Sequence, residues 1–396
     1  MLNGKRIILG VCGSIAAYKA VDLASKLTQA GASVDVVLTD AAQKFVTPLT
    51  FRALTARPVY TDMFDPQSSI AEEHVELARG ADAVVIAPAS ATMLARLAYG
   101  LADNMVALTA LATTAPVLVA PAMDGQMWAH PATVANVATL RARGVIFVGP
   151  EEGRLASGHT GLGRLVETAT LIGAIRMVLG ARGELAGRRV VVSAGGTHEP
   201  IDPVRFVGNR SSGKMGFAIA EAARDRGASV TLISGPVVLD TPYGVTRIDV
   251  NTTAEMGDAV AAAAGGCDVL IMAAAPADFR PAHPAGQKIK RTAESIAVEL
   301  VPNADILAGL KGAFVKVGFA AETQHLRENA EAKIAKKGLD LIVANDVTAP
   351  NAGFASDTNL VTLIDAQGGV QELPLLSKYD VAGRILDRVQ DLLAAR

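Results

Sequence analysis

Residues 5–19 read KRIILGVCGSIAAYK, an apolar run that turns through two glycines into a segment of small residues. Lys5–Val11 predicts a buried strand, and Ala16–Ala30 has the spacing of a helix that ends at Gly31. Ser33–Thr39 predicts the next strand. Two strands that are joined through a helix pair in parallel, so this stretch predicts an α/β fold.

The alternation of strand and helix continues along the chain. Ala83–Ala87 and Val117–Ala120 have the pattern of buried strands, and Ala91–Ala98, Pro131–Arg143 and Glu167–Leu179 have the pattern of helices. Strands that alternate with helices predict a doubly wound parallel sheet, which is covered by helices on both faces.

A second α/β pattern follows the glycine-rich run at residues 180–187. Arg188–Ser193 predicts a strand, Gly213–Arg226 a helix and Ser229–Ile233 another strand. The two halves show the same order of strands and helices, but any two α/β domains share this order. The predicted organisation is a doubly wound domain over residues 1–180, a linker over 181–187 and a second doubly wound domain over 188–396.

Composition excludes several classes of protein. The 396 residues carry 37 Lys+Arg against 39 Asp+Glu, so there is no general attraction to nucleic acid or to an anionic membrane. Cys12 and Cys267 alone exclude a disulfide framework and favour the reducing cytoplasm. The N-terminal apolar run is too short for a secretory signal. The longest uncharged run, Asn104–Met123, contains prolines, so it predicts helix, turn and strand and no membrane span.

Gly10–Lys19 lies where the first predicted strand turns into the first helix. Small residues here let backbone N–H groups approach an anion, and Ser14 can donate to the same anion. The spacing is not G-x-G-x-x-G, so a mononucleotide is favoured over a dinucleotide. A tight strand–helix turn without a ligand is the alternative.

Other polar residues of the first half have two interpretations each. Ser90, Thr92, Asp103 and Asn104 are placed either to bind a ligand at the carboxyl end of the sheet or to cap a helix. His74 is either a general base or a solvated residue at a helix start. No side chains at metal-ligand spacing accompany it, so we do not expect zinc.

The first half resembles the FMN-dependent cysteine decarboxylase family, and within it the phosphopantothenoylcysteine decarboxylase half of bifunctional coenzyme A biosynthesis flavoproteins. The matching residues are Gly13–Lys19, Pro88–Ser90, Ala102–Asn104, Pro121–Met123 and Met127–Trp128. The resemblance implies a flavodoxin-like fold, trimers with FMN at the subunit interface, and decarboxylation of 4′-phosphopantothenoylcysteine to 4′-phosphopantetheine. The FMN-binding residues that it implies are Gly13, Ser14, Ile15, Thr39, Ser90, Thr92, Asp103 and Asn104.

The resemblance matches His74 to the family's active-site histidine, while two positions depart from the family pattern. Asp124 stands where the family has Asn, and Ser157 stands where the family has its proton-donating cysteine. A hydroxyl is a far weaker acid than a thiol, whose pKa is about 8.5. We expect an active decarboxylase in which either Asp124, its pKa raised by burial, or His159 gives the proton.

The second half has loops that suit a nucleotide. Gly208–Met215 reads GNRSSGKM, which lacks the Ser or Thr of a P-loop but places hydroxyls, Arg and Lys at a helix start. Met272–Arg280 ends a buried strand with small residues and Asp278, which is either a ligand for a hydroxyl or part of a simple turn. Gln287–Arg291 is either a solvated basic edge or a contact for a triphosphate.

This half resembles the CTP-dependent bacterial phosphopantothenate–cysteine ligases. The matching motifs are Ser193–Thr197, Asp202–Arg205, Asn209–Gly216, Ala274–Asp278, Lys288–Lys290 and Ala344–Val347. The resemblance implies a Rossmann-like domain in which CTP and Mg²⁺ activate a carboxylate as an acyl-cytidylate. It assigns Asn209 and Lys288 to the acyl-cytidylate and Asp278 to the metal. The CTP-binding residues that it implies are Ala273, Ala274, Ala275, Asp278, Lys288, Asn303, Ala304, Asp305, Ile306, Phe319, Lys333 and Lys337.

Together the two resemblances imply one chain that makes 4′-phosphopantothenoylcysteine from 4′-phosphopantothenate and L-cysteine and then decarboxylates it. The expected partners are these small molecules and further copies of the chain, as a dodecamer of decarboxylase trimers and ligase dimers, without nucleic acid or membrane. The alternative, motivated by Asp124 and Ser157, is an active ligase whose FMN-binding half has lost decarboxylation and serves assembly or regulation.

Overall fold

Two α/β units form the molecule, residues 1–179 and residues 180–396. The structure is a computed structural model that describes residues 2–64, 72–291, 295–322, 326–346 and 356–396. Val347, the last residue of one ligase motif, lies outside the described residues. Residues 181–187 are a run of turns in the second unit, where Leu185 is fully buried. The domain boundaries given above remain a prediction.

Six parallel strands form the sheet of unit 1. They are β1 (Arg6–Val11), β2 (Ser33–Leu38), β3 (Val59–Tyr60), β4 (Ala83–Ala89), β5 (Val117–Pro121) and β6 (Ile146–Phe147). Their order across the sheet is β3-β2-β1-β4-β5-β6. The chain order reverses between β1 and β4, and such a switch point is where open α/β sheets bind ligands.

Helices and one hairpin complete unit 1. The helices are α1 (Ala17–Gln29), α2 (Pro48–Thr55), α3 (Glu73–Gly80), α4 (Ala91–Tyr99), α5 (Met105–Ala112), α6 (Gly125–Ala129), α7 (Pro131–Ala142), α8 (Thr168–Leu179) and a 3₁₀ helix at Ala42–Lys44. The antiparallel hairpin is β7 (Glu151–Arg154) with β8 (Thr160–Arg164). Ile8, Val84 and Val119 of three neighbouring strands pack with Leu94 and Val137 of two helices, so burial on the helix-covered faces holds the sheet together.

The main sheet of unit 2 has eight strands. In chain order the strands of this unit are β9 (Arg189–Ala194), β10 (His198–Pro200), β11 (Phe206–Gly208), β12 (Ser229–Ser234), β13 (Thr246–Asp249), β14 (Val269–Met272), β15 (Phe279–Pro281), β16 (Leu300–Pro302), β17 (Val315–Glu322), β18 (Leu341–Asp346), β19 (Thr358–Asn359), β20 (Val361–Asp365), β21 (Val370–Glu372) and β22 (Leu376–Ser377). The main sheet runs β13-β12-β9-β14-β17-β18-β20-β21, and β10-β11, β15-β16 and β19-β22 form small antiparallel pairs.

Helices cover both faces of this sheet. They are α9 (Lys214–Arg224), α10 (Thr253–Ala264), α11 (Ile306–Gly309), α12 (Leu326–Lys337) and α13 (Lys378–Ala394). Alternate residues of β9 face opposite layers: Val190 and Val192 belong to the cluster of α9 and α13, whereas Val191 packs with Met256 and Val260 of α10. The three successive valines of β9 are therefore buried on both faces of the sheet.

The predicted α/β class with doubly wound parallel sheets is confirmed. The strands and helices predicted from the sequence begin and end within two residues of the observed ones. The sequence did not predict the antiparallel edge of unit 2, where β20 pairs with β18 and β21 with β20. Among the helices of the described ranges, none combines the length and apolar character needed to cross a bilayer.

Candidate functional site

The loops that follow β1, β2 and β4 meet at the switch point of unit 1. The N–H of Cys12 donates to Pro88 O at 3.1 Å, and the N–H of Thr39 donates to Val11 O at 3.1 Å. A Cβ on Gly13 would lie 2.5 Å from a side-chain carbon of the loop after β2. Only glycine allows this approach, so the two loops form one continuous edge.

The hydroxyl groups on this edge are oriented by backbone N–H groups. Ser14 Oγ accepts the N–H of Ala16 at 3.2 Å, and Ser90 Oγ accepts the N–H of Met93 at 3.3 Å. A hydroxyl that accepts from the backbone keeps its own proton for another acceptor. Ser90 therefore caps a helix and can also donate to a ligand, so its two interpretations are compatible. This donor set fits the phosphate of a mononucleotide.

The remaining residues matched to FMN lie around α4 and α5. Asp103 makes a two-point ion pair with Arg96, at 2.6 and 3.1 Å, and this hydrogen bonding lowers the pKa of Asp103. Asn104 caps α5, with its Oδ1 accepting a backbone N–H. Thr92 is exposed in the first turn of α4, and Ile15 is also exposed.

Asp124 and Ser157, the two departures from the family pattern, are hydrogen-bonded to each other. Asp124 Oδ2 accepts the Ser157 hydroxyl at 2.9 Å, and Asp124 Oδ1 accepts the N–H of Gln126 at 3.0 Å. The hydrogen bonds from Gln126 and then Ser157 hold the pKa of Asp124 below its ordinary value. The expectation that burial raises the pKa of Asp124 is therefore wrong, because donors to a half-buried carboxylate outweigh its desolvation.

His159 lies beside this pair on the exposed turn of the β7–β8 hairpin. Its charge is among the influences that lower the pKa of Asp124. The N–H of Met123 donates to Gly163 O at 3.0 Å, which fixes the hairpin against the end of β5. His74 is half-buried in the first turn of α3. The structure thus brings Asp124, Ser157 and His159 together and places His74 on a different element.

Unit 2 has a cavity of about 670 Å³ beside the end of β14. This volume is within the range of roughly 300–1,000 Å³ that holds small ligands. Its walls come from the loop before α9, the loop after β14, the start of α11, and α12 and α13. The predicted site residues that line it are Asn209, Ala273, Ala274, Ala275, Asp278, Asn303, Ala304, Asp305, Ile306, Phe319, Lys333 and Lys337.

A buried polar network shapes the floor of the cavity. The N–H of Ala277 donates to Thr197 Oγ1 at 2.9 Å, and the hydroxyls of Thr197 and Thr253 lie 2.9 Å apart. Glu199 Oε1 accepts both the N–H and the hydroxyl of Thr253, each at 2.8 Å. Glu199 is only 2% exposed, so these hydrogen bonds are shielded from water and hold the loop after β14 rigidly.

Asn209 connects two loops at the mouth of the cavity. Its Nδ2 donates to Pro276 O at 2.9 Å. A Cβ on Gly196 would lie 2.6 Å from Asn209 O, so the glycine-rich loop after β9 packs directly on this residue. The amide of Asn209 is consequently held in one place at the surface of the cavity.

The side of the cavity formed by α11 and α12 is held by an ion pair. Asp305 caps α11 through the N–H of Ala308 at 3.2 Å and lies 3.0 Å from Lys337 Nζ. Burial acts to raise the pKa of Asp305, but the hydrogen bonds from Lys337 and Ala308 outweigh it and lower the pKa. Asn303 Nδ2 donates to Ala277 O at 2.8 Å, which joins this side to the floor.

Lys288 is not among the described residues that line the cavity; it is exposed on the segment between β15 and β16. That segment is held by Asp202, whose Oδ2 accepts the N–H of Ile289 at 3.1 Å and pairs with Arg205 at 2.6 Å. Burial acts to raise the pKa of Asp202, but donors headed by the N–H of Val204 outweigh it and lower the pKa. The family motif Asp202–Arg205 therefore anchors the basic segment.

Asp278 lies exposed at the rim of the cavity. Within the described ranges there is no group of three or more His, Cys, Asp or Glu side chains that is suited to a metal ion. Mg²⁺ is usually bound through one or two carboxylates together with substrate phosphates. One carboxylate beside a phosphate cavity therefore fits Mg²⁺ that arrives with a nucleotide.

The sequence analysis included Lys214 only as part of an anion site at a helix start, and it gave no role to Asn345, Asn359 and Lys378, which also line the cavity. Lys214 and Asn345 lie inside motifs that it quoted. Lys378 and Asn359 carry no local signal, because a lysine after the capping Ser377 is ordinary at a helix start. Only the tertiary fold places them opposite Lys214.

Each unit therefore gathers polar side chains at the carboxyl ends of a doubly wound sheet, and the second also has a lysine-lined cavity of nucleotide size. These features define a two-domain nucleotide-binding enzyme.

Comparison with known proteins identifies the family. The model described as Flavoprotein matches residues 1–180, and the DNA/pantothenate metabolism flavoprotein C-terminal domain matches residues 185–393. The coenzyme A biosynthesis bifunctional protein CoaBC of Bacillus subtilis (strain 168) is 46% identical, with 99% of this chain and 98% of that protein covered. The protein of the same name from Escherichia coli (strain K12) is 44% identical, with 98% and 97% covered.

A crystal structure of the C-terminal domain of a CoaBC protein is also similar. It is 40% identical, covers 54% of this chain and 100% of its own, and has a TM-score of 0.47.

The chain belongs to the family of bifunctional coenzyme A biosynthesis proteins. This confirms the prediction of one enzyme with phosphopantothenoylcysteine decarboxylase and phosphopantothenate–cysteine ligase domains. The alternative of a unit 1 that has lost decarboxylation is not favoured.

Proposed function

We propose that unit 2 uses CTP and Mg²⁺ to join 4′-phosphopantothenate to L-cysteine, and that unit 1 uses FMN to decarboxylate the product to 4′-phosphopantetheine. The observation that carries the proposal is the unit 2 cavity, which is lined by every residue matched to CTP except Lys288. Lys288 is exposed on a segment that Asp202 holds in place through the N–H of Ile289.

Ligation proceeds in two steps that this cavity suits. A carboxylate oxygen of 4′-phosphopantothenate attacks the α-phosphorus of CTP, and the bond to pyrophosphate breaks. The amine of cysteine then attacks the acyl carbon, CMP leaves with the bonding electrons, and the amine loses a proton. Lys333 and Lys337 screen the triphosphate, and Asp278 with the phosphates would hold Mg²⁺, which neutralises developing charge. The fixed amide of Asn209 positions the acyl-cytidylate.

In unit 1 the phosphate of FMN would be held by Gly13 and by the hydroxyls of Ser14 and Ser90. Thr39 lies on the same edge, where its hydroxyl donates to Val11 O at 3.4 Å. FMN supplies reversible oxidation of the substrate's cysteine thiol, which gives the electrons of the departing carboxylate an acceptor. Asp124 is ionised and has no proton to give, so His159 donates the proton that replaces the carboxylate.

The remaining expectations belong to the same proposal. We propose a dodecamer of unit 1 trimers and unit 2 dimers, and a cytoplasmic location. Cys12 and Cys267 support the latter, since both are free thiols.

The test of the nucleotide site is the release of pyrophosphate by the full-length protein given 4′-phosphopantothenate, L-cysteine, Mg²⁺ and CTP. Lys337→Met removes a cation from the cavity wall, so we expect the KM for CTP to rise by about tenfold. Lys336→Met is the matched control, because Lys336 is exposed on the same helix and is not among the cavity-lining residues; its KM should be unchanged. Absence of CTP-dependent pyrophosphate release would contradict the proposal.

A further inference from the structure

Lys316 is a buried lysine in β17 that takes no part in the ligation steps described above. It is only 7% exposed. Val315 and Val317 on either side of it pack in the layer of α9 and α13, so the alternation of the strand turns Lys316 toward the layer of α11 and α12. Burial lowers the pKa of Lys316, and the charges of Asp340 and Asp305 act against this shift. An ammonium group at such a place must be hydrogen-bonded, since burying it otherwise costs free energy.

The ammonium group of Lys316 joins the ends of two helices. Its Nζ donates to Leu307 O at 2.9 Å in α11 and to Leu310 O at 2.7 Å directly after that helix. It also donates to the carbonyl oxygen of Lys337, the last residue of α12, at 3.0 Å. An ammonium group has three donors, so all of them are used. Carbonyl groups at helix C-termini carry partial negative charge, which favours a cation there.

The same two helices carry charged residues of the cavity wall. Asp305 caps α11, and its carboxylate lies 3.0 Å from Lys337 Nζ. Lys316 therefore holds the main chain of Lys337, while Asp305 holds its ammonium group. Lys316 itself is not among the described residues that line the cavity, so any effect it has on a ligand passes through this wall.

The surroundings of the Lys316 ammonium group are apolar. Leu307, Phe314, Ala320 and Leu339 belong to one buried cluster on this face of the sheet. Three carbonyl groups that lose a shared donor in such surroundings are left facing one another without a cation between them, which is unfavourable. Without Lys316 the two helix ends would therefore separate, and Lys337 would move with α12.

We propose that Lys316 is a positioning residue for nucleotide binding. It holds the ends of α11 and α12 together, and in this way it fixes Lys337 where the triphosphate of the nucleotide is bound. The proposal rests on the proposed function of unit 2, and it adds a residue outside the cavity to those that determine the affinity for the nucleotide.

Lys316→Met in the full-length protein tests this role, because methionine keeps most of the side-chain volume and removes the charge. We expect the Kd for CTP, measured by calorimetric titration with Mg²⁺ present, to rise by about fivefold to tenfold, while the KM for L-cysteine is unchanged. If Lys316→Met does not fold, Lys316→Gln keeps two N–H donors and should raise the Kd by about twofold to fivefold. An unchanged Kd for CTP in either folded variant would overturn the proposal.

Val389→Ala is the matched control for a loss of stability alone. Val389 is fully buried in α13 and packs in the cluster on the opposite face of the sheet from α11 and α12. Its truncation should lower the urea midpoint and leave the Kd for CTP unchanged. An equal rise of the Kd in Val389→Ala and Lys316→Met would show a general loosening of unit 2 and would overturn the positioning role.

The double variant Lys316→Met/Lys337→Met tests whether Lys316 acts through Lys337. If it does, the two losses are not independent, and the Kd for CTP of the double variant should lie within about twofold of that of Lys337→Met alone. A Kd that rises by the product of the two single effects would overturn the proposal.

Failure of this proposal and failure of the proposed function give different results in the same titrations. If the wild-type protein does not bind CTP, the proposed function of unit 2 is wrong and the positioning role falls with it. If the wild type and Lys316→Met bind CTP equally well, the proposed function stands and only the role of Lys316 is overturned.

Discussion

The hydrogen bond from Ser157 to Asp124 Oδ2 joins the two positions at which this chain departs from its family pattern. A carboxylate that accepts a backbone N–H and a hydroxyl is stabilised in its charged form, so the pKa of Asp124 is lowered and this residue is not suited to give a proton. The exposed His159 on the same hairpin is then the group suited to deliver a proton.

His159→Gln should lower the rate of decarboxylation by roughly 100-fold, which is the lower end of the effect of losing a general acid. Arg154→Gln, an exposed change on the same hairpin, should leave the rate unchanged. The measurement is the conversion of 4′-phosphopantothenoylcysteine by the FMN-loaded protein. An unaltered rate in His159→Gln would remove His159 from the proton path.

The ionisation of Asp202 makes the stability of the folded protein depend on pH. The hydrogen-bond donors to its carboxylate determine the direction of this dependence. Its pKa in the folded state lies below the ordinary value of about 3.9. Its contribution to stability is therefore complete above that ordinary value and is lost as the pH falls from there through the lower pKa of the folded state. The urea midpoint of Asp202→Asn should lie below that of the wild type at neutral pH, and the gap should narrow below about pH 4. If the difference between the two urea midpoints did not change with pH, the lowered pKa of Asp202 would be contradicted.

At the scale of elements, the fit of α9 on β9 depends on Gly216. A Cβ there would lie 2.6 Å from Ala194 Cβ and 2.8 Å from Ser193 O, both in the strand beneath. The helix start that carries Lys214 is placed by this contact. Gly216 therefore sets how close the helix comes to the sheet.

Gly216→Ala should destabilise unit 2 by about 1–3 kcal/mol, because the strand backbone cannot move aside. Gly257→Ala in α10 is the matched control: its Cβ would have 3.6 Å to the nearest atom, and alanine favours a helix by up to about 1 kcal/mol. Thermal unfolding of the two variants measures both effects. A neutral Gly216→Ala would show that α9 packs less closely than described.

The sequence predicted those elements whose signal is local. β1, β4 and β9 are apolar at successive positions, and α1 and α9 end near glycines, so their positions followed from pattern alone. The β7–β8 hairpin was missed, because Glu151–Arg154 and Thr160–Arg164 have polar and glycine residues where alternation is expected.

The residues of the two candidate sites were likewise predicted only where their signal in the sequence was local. The cavity residues that lie in family motifs were predicted, whereas Lys378 and Asn359 reach the cavity only when α13 and β19 pack beside α9. The pKa of Asp124 is lowered first by the nearby N–H of Gln126 and then by Ser157, and the contribution of Ser157 had no signal in the sequence because the two residues are distant along the chain.

For the whole molecule, the fusion of the two units has a chemical reason. The product that we propose for unit 2, 4′-phosphopantothenoylcysteine, is the substrate that we propose for unit 1. The polar edge of unit 1 and the cavity of unit 2 both lie at the carboxyl ends of parallel strands, where we propose that each unit binds the phosphate of a nucleotide.

The most direct test of this account is a single incubation of the FMN-loaded, full-length protein with 4′-phosphopantothenate, L-cysteine, CTP and Mg²⁺, followed by mass spectrometry. The account predicts that 4′-phosphopantetheine accumulates and that its formation stops when CTP is left out. Accumulation of 4′-phosphopantothenoylcysteine without its decarboxylated product would contradict the role of unit 1, and the absence of both compounds would contradict the role of unit 2.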